Sequence, residues 1–448
     1  MRVVEHRARA RTAPARRGTA LRVLALALAG AGVVGVTAPA AGARGTERAG
    51  WTGAASVGEE RPGTDPEAAA GGPHRGDVDA RALNEALAGV VGIGGASSSL
   101  ARVTENGRTA WKGAEGVGDF PTGAAPSPNG RFRIASVTKT FVATVVLQLV
   151  GEGRFGLDDS VESLLPGAVP GGASVTVRQL LDHTSGLFDY TEDPAVGLDH
   201  ETWLREGRWR SWTPRQLLAV ANSHPPYFPP GTGWHYANTN YLLAGLIVAR
   251  VTGHDWRREV EHRIIDRLGL TGTSMPVHAT AIPGPHAHTY LDLPGGPVDV
   301  SEMEPSEMDA AGAGISTTAD LATFLRALLG GRLLPAPLLT EMLTVAPASG
   351  GAQYGLGIHR LSTPCGDVWG NNGTTGRGHN SALYGTPDGR RLVAVSTNGY
   401  RSTGQGWQTS QRLLATAFCG RQSATAPDAA STDGAPGVMP GRTFAAAL

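Results

Sequence analysis

Hydrophobic and polar positions fall into an ordered pattern only from Val78 onward. The stretch "ARALNEALAGVVGIGGASSSLAR" reads as a helix followed by a strand. After Ser136, "VTKTFVATVVLQLVGEG" is apolar nearly all round and ends on Gly151 and Gly153, which predicts a buried helix with glycine as its stop signal. Its valines and threonines lower helix propensity, so burial must hold it. From about Asp158 to Gly330 the chain reads as mostly helical or irregular, with Pro225-Pro226 and Pro229-Pro230 marking loops. Then "DVWGNN" and "SALYGTPDGRRLVAVSTNG" give strand-like runs, joined at the hairpin signal "TPDG". Strands at both ends with helices between predict a sheet whose N- and C-terminal strands meet, leaving the middle as an inserted helical region.

The flanks lack this pattern. Arg44 to about Gly76 is rich in Gly, Ala, Pro and Glu without periodicity, and the segment after Gly420 is rich in Ala, Pro, Ser and Gly. Met1 to Ala43 has an arginine-rich start, an apolar run from Val23 to Val36 and small residues ending Ala41-Gly42-Ala43, which reads as an export signal. That run is too short for a membrane span. The expected organisation is a signal peptide over 1–43, a flexible leader over 44–77, one folded domain over 78–420 and a disordered tail over 421–448. No internal repeat is present. The mature protein is expected to be secreted, extracellular and monomeric.

Composition narrows the function. With 448 residues and 41% apolar content the chain has enough material for a large core. Basic and acidic residues balance at 39 each, and removing the seven arginines and one glutamate of the first 43 residues leaves 32 against 38. A mildly acidic mature chain argues against a nucleic-acid partner. Cys365 and Cys419 are the two cysteines. In an oxidising compartment they most simply form one bridge, the alternative being two free thiols.

Lysine is the informative residue. The chain uses arginine almost everywhere, and Lys112 and Lys139 are its two lysines. An amine, unlike a guanidinium, loses its proton near neutrality when desolvated. In "IASVTKTF", Ser136 and Lys139 stand three apart at a helix start, so both project from one face. A buried lysine of lowered pKa can take the proton that a serine nucleophile must lose. The helix N-terminus favours a developing anion. Ser-x-x-Lys alone is also met at ordinary exposed helix starts. In "GWHYANTNYLLAGLIV", Tyr236 and Asn238 precede a second apolar helix; a phenol can relay a proton and an amide can orient lysine and substrate. A third segment, "WGNNGTTGRGHNSALYG", is a strand with Gly373 where a ligand could approach the backbone.

Taken in order, the three segments resemble the serine beta-lactamase and penicillin-binding superfamily, in its class C beta-lactamase and D-Ala-D-Ala carboxypeptidase branch. The resemblance runs from roughly Arg131 to Gly420 and includes "TVRQLLDHTSGLFDYT" and "AGAGISTTADLATFLRALLGG". It implies an α/β (α+β) beta-lactamase/transpeptidase-like fold: an antiparallel sheet flanked by helices, with an inserted mostly helical region. It also implies Ser136 as the acylated nucleophile, Lys139 as its activating partner, Tyr236 as a second acid/base group and Asn238 as an orienting side chain. The backbone N–H groups of Ser136 and Thr374 would form the oxyanion hole, with Asn371, Asn372, Gly373 and Thr374 along the substrate. "YGLGIHR", "CGDVWG" and "AFCG" are similar to secreted carboxypeptidases in which the two cysteines pair, here Cys365 with Cys419. His183 and Ser185 in "DHTSGL" are expected to be packed and hydrogen-bonded rather than catalytic.

One departure bears on specificity. The family's third motif begins with Lys or His, then Thr or Ser, then Gly, whereas this chain reads Asn371-Asn372-Gly373. Asparagine supplies no charge for a substrate carboxylate. The arginine that related carboxypeptidases carry on the preceding strand aligns with His359, with Arg360 beside it. Arg377, in a nearby loop, is the expected substitute cation. The leading expectation is a D-Ala-D-Ala carboxypeptidase acting on cell-wall-type peptides. An esterase, D-aminopeptidase or endopeptidase gains from the missing cation, and a non-catalytic binder of peptides or penicillins is disfavoured because it would not need Ser136, Lys139 and Tyr236 together. No cofactor or metal is implied: His286 and His288 in "PHAHTY" lack a third ligand at sensible spacing and read as loop.

Overall fold

The computed structural model describes residues 77–420. The expected export signal, the expected leader up to residue 76 and the expected tail from residue 421 lie outside the described residues. Helix α1 (Ala80–Gly92) starts where the Asp79 carboxylate accepts the N–H groups of Arg81 and Ala82, and it buries Leu83, Ala86, Leu87 and Val90 along one face. The strands are β1 (Ala96–Glu105), β2 (Arg108–Gly116), β3 (Arg131–Arg133), β4 (Tyr290–Leu293), β5 (Gly296–Asp299), β6 (Ile315–Thr317), β7 (His359–Thr363), β8 (Gly366–Thr374), β9 (His379–Gly385) and β10 (Arg391–Gly399). The other principal helices are α2 (Thr138–Gly151), α3 (Asn238–Thr252), α4 (Thr318–Leu329) and α5 (Gly406–Cys419).

Six strands form one antiparallel sheet in the order β2-β1-β10-β9-β8-β7. The first and last strands meet as the end-to-end pattern predicts, with Ala96 opposite Gly399 and Glu105 opposite Arg391. Side chains alternate between two cores. Leu100, Leu383 and Leu392 face a large core with Phe141 and Val145 of α2, Leu243 of α3 and Phe324 of α4; Phe141 and Phe324 stack with centroids 3.7 Å apart. Ala101, Val103, Val393 and Val395 face a smaller core with Leu83 and Leu87 of α1 and Leu413 and Phe418 of α5. The chain is therefore a helix/sheet/helix sandwich with a helical region inserted between β2 and β7. Cys365 and Cys419 form a disulfide that ties the β7–β8 turn to the end of α5.

The helix after Ser136 is buried on nearly every side, from Thr138 to Leu149. Two local expectations need correction. The stretch from Asp158 to Gly330 also holds the β4–β5 hairpin and β6, which pairs with β3 over three residues. Strands this short carry too few positions to reveal a period of two. Ser136 lies in a 3-10 turn, Ala135–Val137, that leads into α2 instead of in its first α-helical turn.

Candidate active site

The turn that presents Ser136 is pinned on both sides. Ile134 donates its N–H to the Gly314 carbonyl, Ser381 Oγ donates to the Ile134 carbonyl at 2.7 Å, and Gly314 N–H donates to Thr138 Oγ1 at 3.0 Å. These bonds hold Ala135 at φ +44°, a left-handed conformation costly for a residue with a Cβ. His183 at +64° and Asp309 at +37° are strained in the same sense. Three of the five non-glycine residues with positive φ among the described residues thus surround one place.

Lys139, in the first turn of α2, is fully buried, and its Nζ lies 3.1 Å from Ser136 Oγ. It also meets Asn238 Oδ1 at 2.8 Å and the Ala311 carbonyl at 2.7 Å. Burial lowers its pKa to about 7, with the Asp189 carboxylate opposing part of that effect. A neutral amine has two N–H donors and one lone pair. The two fixed acceptors take the donors, which leaves the lone pair for the Ser136 hydroxyl proton.

Tyr236 donates its hydroxyl to Ser136 Oγ at 2.8 Å. Burial pushes its pKa well above 10, so it remains a phenol at neutral pH and cannot be the resting base. The imidazole of His183 packs beneath it, ring centroids 4.2 Å apart. His183 Nδ1 accepts from Ala237 N–H and Asn240 Nδ2, and its surroundings hold it neutral through burial, far below its usual pKa. Ser185 Oγ donates to Asn240 Oδ1 at 2.6 Å. Both residues of "DHTSGL" are therefore packed and bonded, and His183 fixes the turn that carries Tyr236.

Asn238 opens α3 and faces both ways. Its Oδ1 meets Lys139, while its Nδ2 donates to Asp189 Oδ2 at 3.1 Å. Asp189 is itself buried, which raises its pKa, while the Thr191 N–H pulls in the opposite direction. On the other flank β8 passes directly against the Ser136 turn. A Cβ at Gly373 would stand 2.4 Å from the Ile134 carbonyl and 2.8 Å from Ser136 N, so only glycine permits this approach. The Thr374 backbone thereby follows immediately beside Ser136.

The remaining motif residues are distributed differently from expectation. Asn371 is 1% exposed and donates to Thr140 Oγ1 and the Gly357 carbonyl, beneath the site. Asn372 faces the opposite side of the sheet, where its Oδ1 lies 3.3 Å from His359 Nε2. His359 is buried against the Tyr384 hydroxyl and is kept neutral, its pKa lowered to about 4 by burial. Arg360 pairs with Asp367. Arg377, expected as a substitute cation, is 6% exposed; it donates to the Leu198 carbonyl at 2.8 Å and lies 4.8 Å from the Trp203 ring centre. It latches the 198–207 segment onto the loop after Thr374, a role the sequence does not reveal because a loop does not declare where its charge points.

Three further groups escaped the sequence reading: Asp189, the Ala311 carbonyl and Glu192. The exposed Glu192 accepts from the Tyr227 hydroxyl at 2.7 Å and meets His235 Nε2 at 3.3 Å, beside Tyr236. An aspartate inside the apolar run "GLFDY" was the available signal for Asp189; a backbone carbonyl gives none. Among the described residues no group of three or more His, Cys, Asp or Glu is arranged to hold a metal ion.

Comparison with known proteins agrees with this geometry. The beta-lactamase family profile matches residues 81–416. Penicillin-binding protein 4 of Amycolatopsis lactamdurans is 32% identical over 278 residues, covering 60% of this chain and 67% of that protein. Esterase EstB of Burkholderia gladioli is 30% identical over 286 residues, 58% of this chain and 71% of that one. Among solved structures, a D-stereospecific amidohydrolase from Streptomyces sp. is 41% identical with a TM-score of 0.69, covering 76% of this chain and 99% of that chain.

Proposed function

Because this chain belongs to the beta-lactamase family of serine hydrolases, we propose that it is a D-stereospecific amidohydrolase for substrates with a free amino group, meaning D-aminoacyl amides, esters and short peptides. Ser136 attacks the carbonyl carbon as its proton passes to the neutral Lys139 amine. The N–H groups of Ser136 and Thr374 receive the oxyanion, an arrangement worth about 3 to 4 kcal/mol per donor. Tyr236 gives its proton to the leaving nitrogen and regains one from the Lys139 ammonium. Water then releases the acyl group from Ser136 by the same proton path in reverse.

The observation that supports this specificity is the distribution of charge around Ser136. At the third motif, where a substrate carboxylate would need a cation, the chain has the buried amide of Asn371, and Arg377 is engaged with Leu198. On the Tyr236 side stand the carboxylates of Asp189 and Glu192, which suit an ammonium group. Similarity to the Streptomyces amidohydrolase over nearly its whole length points the same way. D-Ala-D-Ala carboxypeptidase activity is the second reading, favoured by the likeness to a penicillin-binding protein.

Steady-state rates on D-alanine and D-phenylalanine amides, their L enantiomers, their N-acetylated forms and N-acetyl-D-Ala-D-Ala separate the readings. Fast turnover of the free D-amides, lost on N-acetylation and in Ser136→Ala, is expected. Preferential cleavage of N-acetyl-D-Ala-D-Ala would select the carboxypeptidase, and no turnover of any substrate would select the binder.

A further inference from the structure

At the end of the sheet away from Ser136, a cleft of about 150 Å³ opens between the β1–β2 hairpin and α4. Thr374 is level in the strand register with Asn380, Thr397 and Ser99. The cleft begins at Arg102, three residues further along β1, roughly 10 Å from that level along the strand. Its walls carry three guanidinium groups, Arg102, Arg326 and Arg332, and three hydroxyls, Thr104, Thr109 and Thr323; no carboxylate lines it.

Arg102 forms the floor and is 6% exposed. Its guanidinium donates to Thr318 Oγ1, Thr109 Oγ1 and Asn129 Oδ1, all uncharged oxygens. Among the described residues none of the three arginines takes part in an ion pair, although nearby Arg391 pairs with Glu105. Burial alone moves the Arg102 pKa, downward, with no acidic neighbour acting on it. A buried charge normally has a counter-charge, and crowding two more cations around it adds repulsion. Thr104 Oγ1 is also buried with no hydrogen-bond partner. The cleft thus presents an uncompensated positive field and an unused hydroxyl in the same place.

We propose that this cleft binds a phosphate group, either as the free ion or as a phosphate ester of a larger molecule. A tetrahedral phosphate anion would accept from the guanidinium groups and from Thr104 Oγ1 at once, giving Arg102 the counter-charge the protein itself does not provide. The site is separate from the hydrolytic centre, so occupancy need not alter the chemistry at Ser136.

Isothermal titration of the full chain with inorganic phosphate, at constant ionic strength against chloride, tests this. One saturable site is expected in the wild type. It should weaken about tenfold or more in the double variant Arg326→Gln/Arg332→Gln, and measurably in Thr104→Val. Both arginines are exposed, so the double variant should keep its melting midpoint in chloride and its turnover at Ser136. Absence of saturable binding, equal response to chloride, or unchanged affinity in the double variant would overturn the proposal. A soluble glycerophosphate oligomer run in parallel identifies the source: tighter binding than the ion points to a phosphodiester, and binding of the ion alone points to free phosphate.

Discussion

Lys139 shows what one residue type can decide. Its pKa of about 7 reflects two opposing influences, burial lowering it and Asp189 raising it. Acylation needs the neutral amine, so kcat/KM is expected to rise with pH through about 7 and then level off. Asp189→Asn removes the negative charge that favours the ammonium, so that rise should move to lower pH. A pH–rate profile of the two proteins checks it, and an unmoved limb would remove Lys139 from the role of base. The residues that meet at Ser136 were legible because each lies at or just before a helix start with chemistry its neighbours lack. Asp189 was not, since its partner Asn238 lies 49 positions away and only the fold brings the two together. The expectation for Arg377 failed for the opposite reason: its charge was visible, but its direction is set by Leu198 and Trp203, far away in the chain.

Among elements, the 198–207 segment deserves comparison with α2 and α3. Those helices are held by burial along most of their length. The segment buries Trp203 in a small separate cluster with Leu291, Val300 and Met303, and it is joined to the loop after Thr374 by the Arg377–Leu198 bond, the Arg377–Trp203 contact and a 3.1 Å bond between His200 Nε2 and the Gly376 carbonyl. Its link to that loop rests on these few contacts, which part more readily than a packed core. Arg377→Ala is therefore expected to raise KM for D-aminoacyl amides, by about tenfold if one charge-assisted bond is lost. The pH limb set by Lys139 should stay in place. If KM is unchanged, the segment does not shape the substrate site. The long helices and the C-terminal hairpin could be read from pattern alone, because burial and the "TPDG" turn leave strong signatures. The β3–β6 pair and the β4–β5 hairpin could not, since their pairing is decided by distant partners.

For the molecule as a whole, the Cys365–Cys419 disulfide fastens α5 to the sheet across 54 positions of sequence. By loop-closure entropy such a cross-link contributes about 4 kcal/mol. Cys365→Ser/Cys419→Ser should lower the urea midpoint accordingly while leaving kcat near the wild-type value, as both cysteines lie far in the fold from Ser136. The pairing of β1 with β10 has a different consequence. Ser97 and Asn398 are hydrogen-bonded although 301 positions apart, so the central strands cannot join until almost the whole ordered chain has been made. A nascent chain exposes Ser136 and Lys139 early, yet the β8 backbone that flanks them arrives near the end. Topology therefore acts as a timer: hydrolytic competence is withheld during synthesis and granted only when the last strand closes the sheet.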